Sequence, residues 1–165
     1  SNHASSGFSL LEMIAIVVIV GILATLVAPS WVGFAYRQRL NTTGDEILQA
    51  IRTTQSTAKQ RRRSQLLEFA PDATDDIPTL TVAGIPTELG GGNLTGDMVN
   101  MTVTDGADAA VTTLEFLQDG SISTDAALPV KIVLASVSTS SKRCLFIETL
   151  LGSVRSVSNS DANCP

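Results

Sequence analysis

Gly7-Phe8-Ser9-Leu10-Leu11-Glu12, followed without a break by the apolar run of residues 13–28, decides how this chain is organised. Within 13–28 the only polar side chain is Thr25. Taken with residues 8–11, the run gives about 21 residues, or roughly 30 Å of helix, long enough to span a bilayer. Residues 16–20 are β-branched at every position, which disfavours helix in water. In lipid the backbone must satisfy its own hydrogen bonds, so helix is expected there. Gly21 and Pro29 are the expected sites of bending. The single acid, Glu12, is out of place in such a run. A carboxylate at the centre of a spanning helix costs about 2.5–3.5 kcal/mol on insertion scales. A plain anchor has no need of it. A secretory signal peptide would instead show a short apolar core followed by a small-residue cleavage pair.

Composition sets the outer bounds. The chain has 165 residues, a formal net charge of −5 and 44% hydrophobic residues. That suits one anchored segment and one modest globular domain, and it argues against a dedicated nucleic-acid binder. Charge is unevenly spread. Seven of the eleven basic residues lie within 37–63, and none lies within 64–130. The only histidine is His3, and there are two cysteines, so zinc ligation is not expected.

Residues 30–63 continue a helical pattern. Leu40, Ile47, Ile51, Thr54 and Ala58 recur on one face, whereas Asp45, Glu46, Gln49, Arg52 and Gln55 fall largely on others. This predicts an amphipathic helix whose stripe packs on a sheet. Gly44 is a weak point in it but not a stop. Lys59, Arg61, Arg62 and Arg63 close the helix, where positive charge opposes the macrodipole. The other reading of that cluster is a contact for an anionic partner. Residues 71–76 form a turn-rich linker. Strands are expected over 66–69, 79–84, 98–104, 112–117, 130–134, 144–149 and 154–157, with a tight turn at Asp119-Gly120. Gly90-Gly91-Gly92 reads as a loop; no Lys-Ser/Thr pair follows it, so it is no phosphate cradle.

The glycine, the phenylalanine after it, Glu12 and Pro29, at these spacings, resemble the type IV prepilin signature. The resemblance implies cleavage between Gly7 and Phe8 by prepilin peptidase and methylation of the new amino terminus at Phe8. It implies assembly through Phe8, Glu12 and Pro29, with the Glu12 carboxylate pairing with the amino group of Phe8 on a neighbouring subunit. Paired opposite charges in a low-dielectric core recover part of their lost hydration. The expected fold is α+β, the pilin fold: a long amino-terminal helix, half transmembrane and half amphipathic, packed on antiparallel sheet. The expected divisions are a leader over 1–7, a transmembrane and assembly helix over 8–29, an amphipathic helix over 30–65 and a β-rich domain over 66–165. The implied location is the inner membrane, single-pass, with the globular domain outside the cytoplasm in a periplasmic or cell-surface filament. Implied partners are other pilins or pseudopilins, the peptidase, the membrane and the assembly platform. With the domain outside the cytoplasm, Cys144 and Cys164 are expected to pair. That bond would close a loop of about 20 residues, worth roughly 3 kcal/mol in the chain-entropy model.

A finer resemblance lies further on. Leu114-Glu115-Phe116-Leu117-Gln118-Asp119-Gly120-Ser121-Ile122 is similar to the Phe-x-x-x-Gly strand and turn of the subgroup that holds the H-type pseudopilin and the fimbrial T-type minor pilin. Lys142-Arg143-Cys144-Leu145-Phe146-Ile147 and Leu151-Gly152-Ser153-Val154-Arg155 fit its last hairpin. Some T-type minor pilins bind DNA there through a Gly-Arg-x-Arg motif. In this chain Ser153 replaces the first arginine, so Arg155 alone carries over, with Lys142 and Arg143 able to complete an anionic-ligand patch across the hairpin. The alternative is solvated strand ends, since one cation supplies little phosphate neutralisation. The leading expectation is thus a structural filament subunit of a type IV pilus or type II secretion system. The second is a minor pilin that captures DNA or another anionic ligand. An enzyme is not expected, because no nucleophile stands with a base. Cofactor and metal are likewise not expected: the aspartates of 72–125 show no calcium-loop pattern.

Overall fold

The computed structural model describes residues 9–71, 78–90, 98–123, 127–158 and Cys164. Its first element is one helix, α1 (Leu10–Arg61). Nine strands follow: β1 (Gln65–Ala70), β2 (Thr79–Val82), β3 (Ile85–Glu88), β4 (Val99–Thr104), β5 (Thr113–Phe116), β6 (Ile122–Ser123), β7 (Val130–Ser136), β8 (Lys142–Ile147) and β9 (Val154–Ser158). By packing, the chain divides into two compact units, Ser1–Ala35 and Tyr36–Pro165. The second part of α1 falls with the strands because it shares their core.

In the first unit α1 carries its apolar side chains outward. Leu10, Leu11, Val17 and Val20 are all more than half exposed. Thr25 does not interrupt this surface, since its hydroxyl donates to the Ile22 carbonyl at 2.7 Å and is satisfied within the helix. Over the described residues alone, whose side chains stop at Thr25 and resume at Trp31, no helix is long and apolar enough to cross a membrane.

In the second unit the expected stripe is the buried one. Leu40 is 3% exposed, and Ile47, Ile51, Thr54 and Ala58 are fully buried. Each fully buried isoleucine contributes about 1.5–3 kcal/mol. Thr54 avoids a polar penalty by donating to the Ala50 carbonyl at 2.7 Å. The stripe meets two antiparallel sheets, of strand order β3-β2-β1-β5-β6 and β4-β7-β8-β9. Strand β7 shows the alternation cleanly: Val130, Ile132, Leu134 and Ser136 are buried, and Lys131, Val133 and Ala135 only partly so. Leu67, Phe69, Leu80, Leu114, Phe116 and Ile122 line the same core from the first sheet.

Seven expected strands are present with shifted ends, and two are additional. The stretch 79–84 was expected as one strand, but β2 ends at Val82. Ala83 and Gly84 both adopt positive φ, at 51° and 82°. Two such residues make the tight hairpin turn whose twist suits flanking strands. The chain returns as β3, an exposed edge strand that tolerates Pro86. At the other end of that sheet, the expected Asp119-Gly120 turn leads into the two-residue β6. Gly120 has φ +80°, and Asp119 accepts from the Ser121 hydroxyl at 2.6 Å and the Ser121 amide at 2.9 Å. The Ser121 hydroxyl bond, chiefly, holds the Asp119 carboxyl below its ordinary pKa. The glycine-rich loop and the linker of 71–76 lie largely outside the described residues.

The two sheets are tied together through α1. The Gln55 amide nitrogen donates to the Gly120 carbonyl and to the Leu151 carbonyl, both at 2.8 Å. Beside it, the Ile122 amide donates to the Leu150 carbonyl at 2.7 Å. A second organising group is Asp105, only 8% exposed. Its carboxylate accepts from the amides of Ala109 (2.8 Å), Ala107 (2.9 Å) and Ala127 (3.2 Å). The Ala109 bond is the largest cause of a pKa lowered from the ordinary carboxylate value.

Candidate functional site

Two places carry the residues singled out in the sequence: the start of α1 and the last hairpin. At the start, Ser9 is the N-cap. Its carbonyl accepts the first helical bond, from the Met13 amide at 3.2 Å, and its hydroxyl accepts from the Glu12 amide at 3.2 Å. Glu12 is therefore the third helical residue, and Ser9-Leu10-Leu11-Glu12 has capping-box spacing. The sequence reading passed over this signal. It gives Glu12 a structural duty besides any role in assembly, because a carboxylate at N3 also favours the positive end of the helix. Glu12 is exposed in the chain alone. Gly7 and Phe8 lie outside the described residues. Pro29 lies within α1, which continues through it.

At the last hairpin, strand parity separates the three cations. Arg143 is paired with Leu134 of β7, whose side chain faces the core, so Arg143 points towards α1. Its guanidinium donates to Asp45 at 2.7 Å, to the Asn41 carbonyl at 3.1 Å and to the Asn41 side chain at 3.0 Å. It crosses α1 at Gly44, where an added Cβ would lie 2.6 Å from its Nε. That contact explains a glycine inside the helix. Arg155 is paired with Phe146, on the opposite face of the sheet. Its Nε donates to Glu148 at 2.6 Å, and its guanidinium stacks 4.9 Å from the Phe146 ring centre. Lys142 shares that outer face but sits four residues along β8 from Phe146, about 13 Å away.

The proposed patch of Lys142, Arg143 and Arg155 is thus not brought together, and both arginines face acids of their own chain. Reading the hairpin as neighbouring letters missed the alternation and the acid partners. Cys144, on the same outer face, is bonded to Cys164, with Cα atoms 5.7 Å apart. At the far end of α1, Arg61, Arg62 and Arg63 are exposed. Arg62 has φ +49°, and the Arg63 amide reaches back to the Ala58 carbonyl at 3.3 Å. This is a Schellman-type helix end with arginine where glycine is preferred. Among the described residues no group of acids, histidines or cysteines could hold a metal.

An acid three residues into an outward-facing apolar helix, and a second helical half packed on two antiparallel sheets, together define a type IV pilin-like protein. Residues 2–28 match the family model described as the prokaryotic N-terminal methylation motif. Among solved structures, the chain is similar in fold to the type IV minor pilin FimU of Pseudomonas aeruginosa strain PAO1. The match has a TM-score of 0.53 and 15% identity, and covers 74% of this chain and 90% of that one. No curated protein matches in sequence. The amino-terminal stretch thus carries the signature of a pilin-like chain.

Proposed function

We propose that this chain is a minor pilin: a structural subunit cut between Gly7 and Phe8, held in the inner membrane by one helix, and passed into a type IV pilus through that helix. The observation that carries the reading is Glu12, an exposed carboxylate in the first turn of an otherwise apolar helix. The apolar interior of packed helices gives such a group no partner, and a methylated amino terminus on a neighbouring subunit does. A pseudopilin of a secretion filament would use the same device; the fold likeness to FimU supports the pilus. The DNA-capturing alternative draws no support from the last hairpin, where Arg143 and Arg155 are paired with Asp45 and Glu148.

The test must separate pairing from capping. Glutamine caps as glutamate does but carries no charge. Glu12→Gln and Glu12→Ala should both insert in the membrane and both be lost from sheared filaments, by at least about tenfold for a charge pair worth more than 1.4 kcal/mol. Normal incorporation of Glu12→Gln would reduce Glu12 to a capping residue and remove the basis of the proposal.

A further inference from the structure

Just beyond the apolar run, α1 presents two large, mostly exposed aromatic side chains that pair with each other. Trp31 is 69% exposed and Phe34 is 56% exposed. Their ring centres lie 6.3 Å apart with planes tilted by 49°. They are three residues apart in one helix, so they share a face. Trp31 is the sole tryptophan of the chain, and Tyr36, Arg37 and Arg39 follow closely in sequence. Tryptophan is selected where one end of a side chain must be apolar and the other wet, which is the headgroup layer of a bilayer.

We propose that Trp31 and Phe34 anchor the helix in the headgroup layer on the non-cytoplasmic side, and that this anchor sets the depth of Glu12. The inference rests on the membrane reading given above. Nineteen residues separate Glu12 from Trp31 along α1, or about 28 Å at 1.5 Å each. The hydrocarbon core is about 30 Å thick. With Trp31 at one boundary, Glu12 lies at the other and not in the middle. There its carboxylate lies at the headgroup layer before assembly. The helix is held at a fixed height, with the acid at the inner face.

The single tryptophan makes this measurable. The full chain is reconstituted in phosphatidylethanolamine and phosphatidylglycerol vesicles and floated on a density gradient. In the floated chain, Trp31 emission should shift to the blue of its value in water. Lipids brominated near the carbonyl end should quench it about twofold more than lipids brominated near the methyl end. Two further chains carry Trp31→Tyr and a moved probe. Leu11→Trp, beside Glu12, should give the same shallow profile, and Val20→Trp should give the deep one. A chain that floats but shows Trp31 unquenched in water, or quenched most by the deep bromines, overturns the anchor and leaves the membrane reading standing. Blue-shifted emission that no brominated lipid quenches assigns the pair to a protein neighbour and also overturns it. A deep profile for Leu11→Trp refutes the placing of Glu12. Failure to float overturns both readings.

Discussion

Gly44→Ala should change sign with its background, and the reason lies in one side chain. In an open helix this substitution stabilises by about 0.8–1.0 kcal/mol, because glycine pays the larger backbone entropy. Here the new methyl would sit 2.6 Å from Nε and 2.7 Å from Cδ of Arg143. Those atoms are in the middle of a side chain tied at its tip by Asp45 and Asn41 and only 14% exposed. Arg143 must swing away to make room. A hydrogen bond to a charged group is worth about 1.5–3 kcal/mol, discounted here because Asp45 is 67% exposed. The loss of that bond and of the Asn41 contacts, set against the helix gain, leaves Gly44→Ala destabilising by about 1 kcal/mol. With Arg143→Ala already in place there is nothing to displace. The same substitution should then stabilise by about 1 kcal/mol, a coupling of about 2 kcal/mol across the cycle. Urea unfolding of the four proteins, as the unit of residues 36–165 followed by far-ultraviolet circular dichroism, measures it. If Gly44→Ala is equally stabilising in both backgrounds, the guanidinium does not lie across the helix and the account of Gly44 is wrong.

Three other outcomes follow from local geometry. Arg62→Gly relieves a left-handed residue at the helix end and should stabilise the unit by about 0.5–1 kcal/mol, seen as a rise of a few degrees in Tm. Asp105→Ala removes the acceptor for three backbone amides and should lower Tm. The folded-state pKa of Asp105 is lowered, so its stabilisation is complete above the unfolded value of 3.8 and is lost as pH falls through the folded value; acid titration of Asp105→Asn by denaturant melts should show a shallower fall below about pH 4. Gln55→Ala should cost about 1–2 kcal/mol for its two bonds and speed amide exchange at Ile122, while Arg52→Ala on the exposed side should do neither.

Much of this fold was legible because its elements keep strict periods. The buried stripe of α1 repeats at helical spacing over residues 40–58, and the β7 alternation needs only a period of two. What escaped has local causes. The β3 strand has no buried residue to announce it, and β6 is too short to show alternation. The capping box at Ser9 and Glu12 was overlooked because the acid already had a more conspicuous explanation. The cations were grouped across the hairpin, yet Arg143 and Arg155 face opposite sides of the sheet, and their acid partners are Asp45 on α1 and Glu148 just past β8. No sequence pattern could announce that Gly44 makes way for an arginine about a hundred residues further on; that is a fact of tertiary approach.

The amide of Gln55 has one further implication, for mechanics. A filament subunit is pulled along its helix. Because one nitrogen grips the turn of each sheet, tension arriving through that helix is shared between both sheets from the first ångström of extension. Drawing one turn away from the helix strains the other, because both carbonyls share that nitrogen.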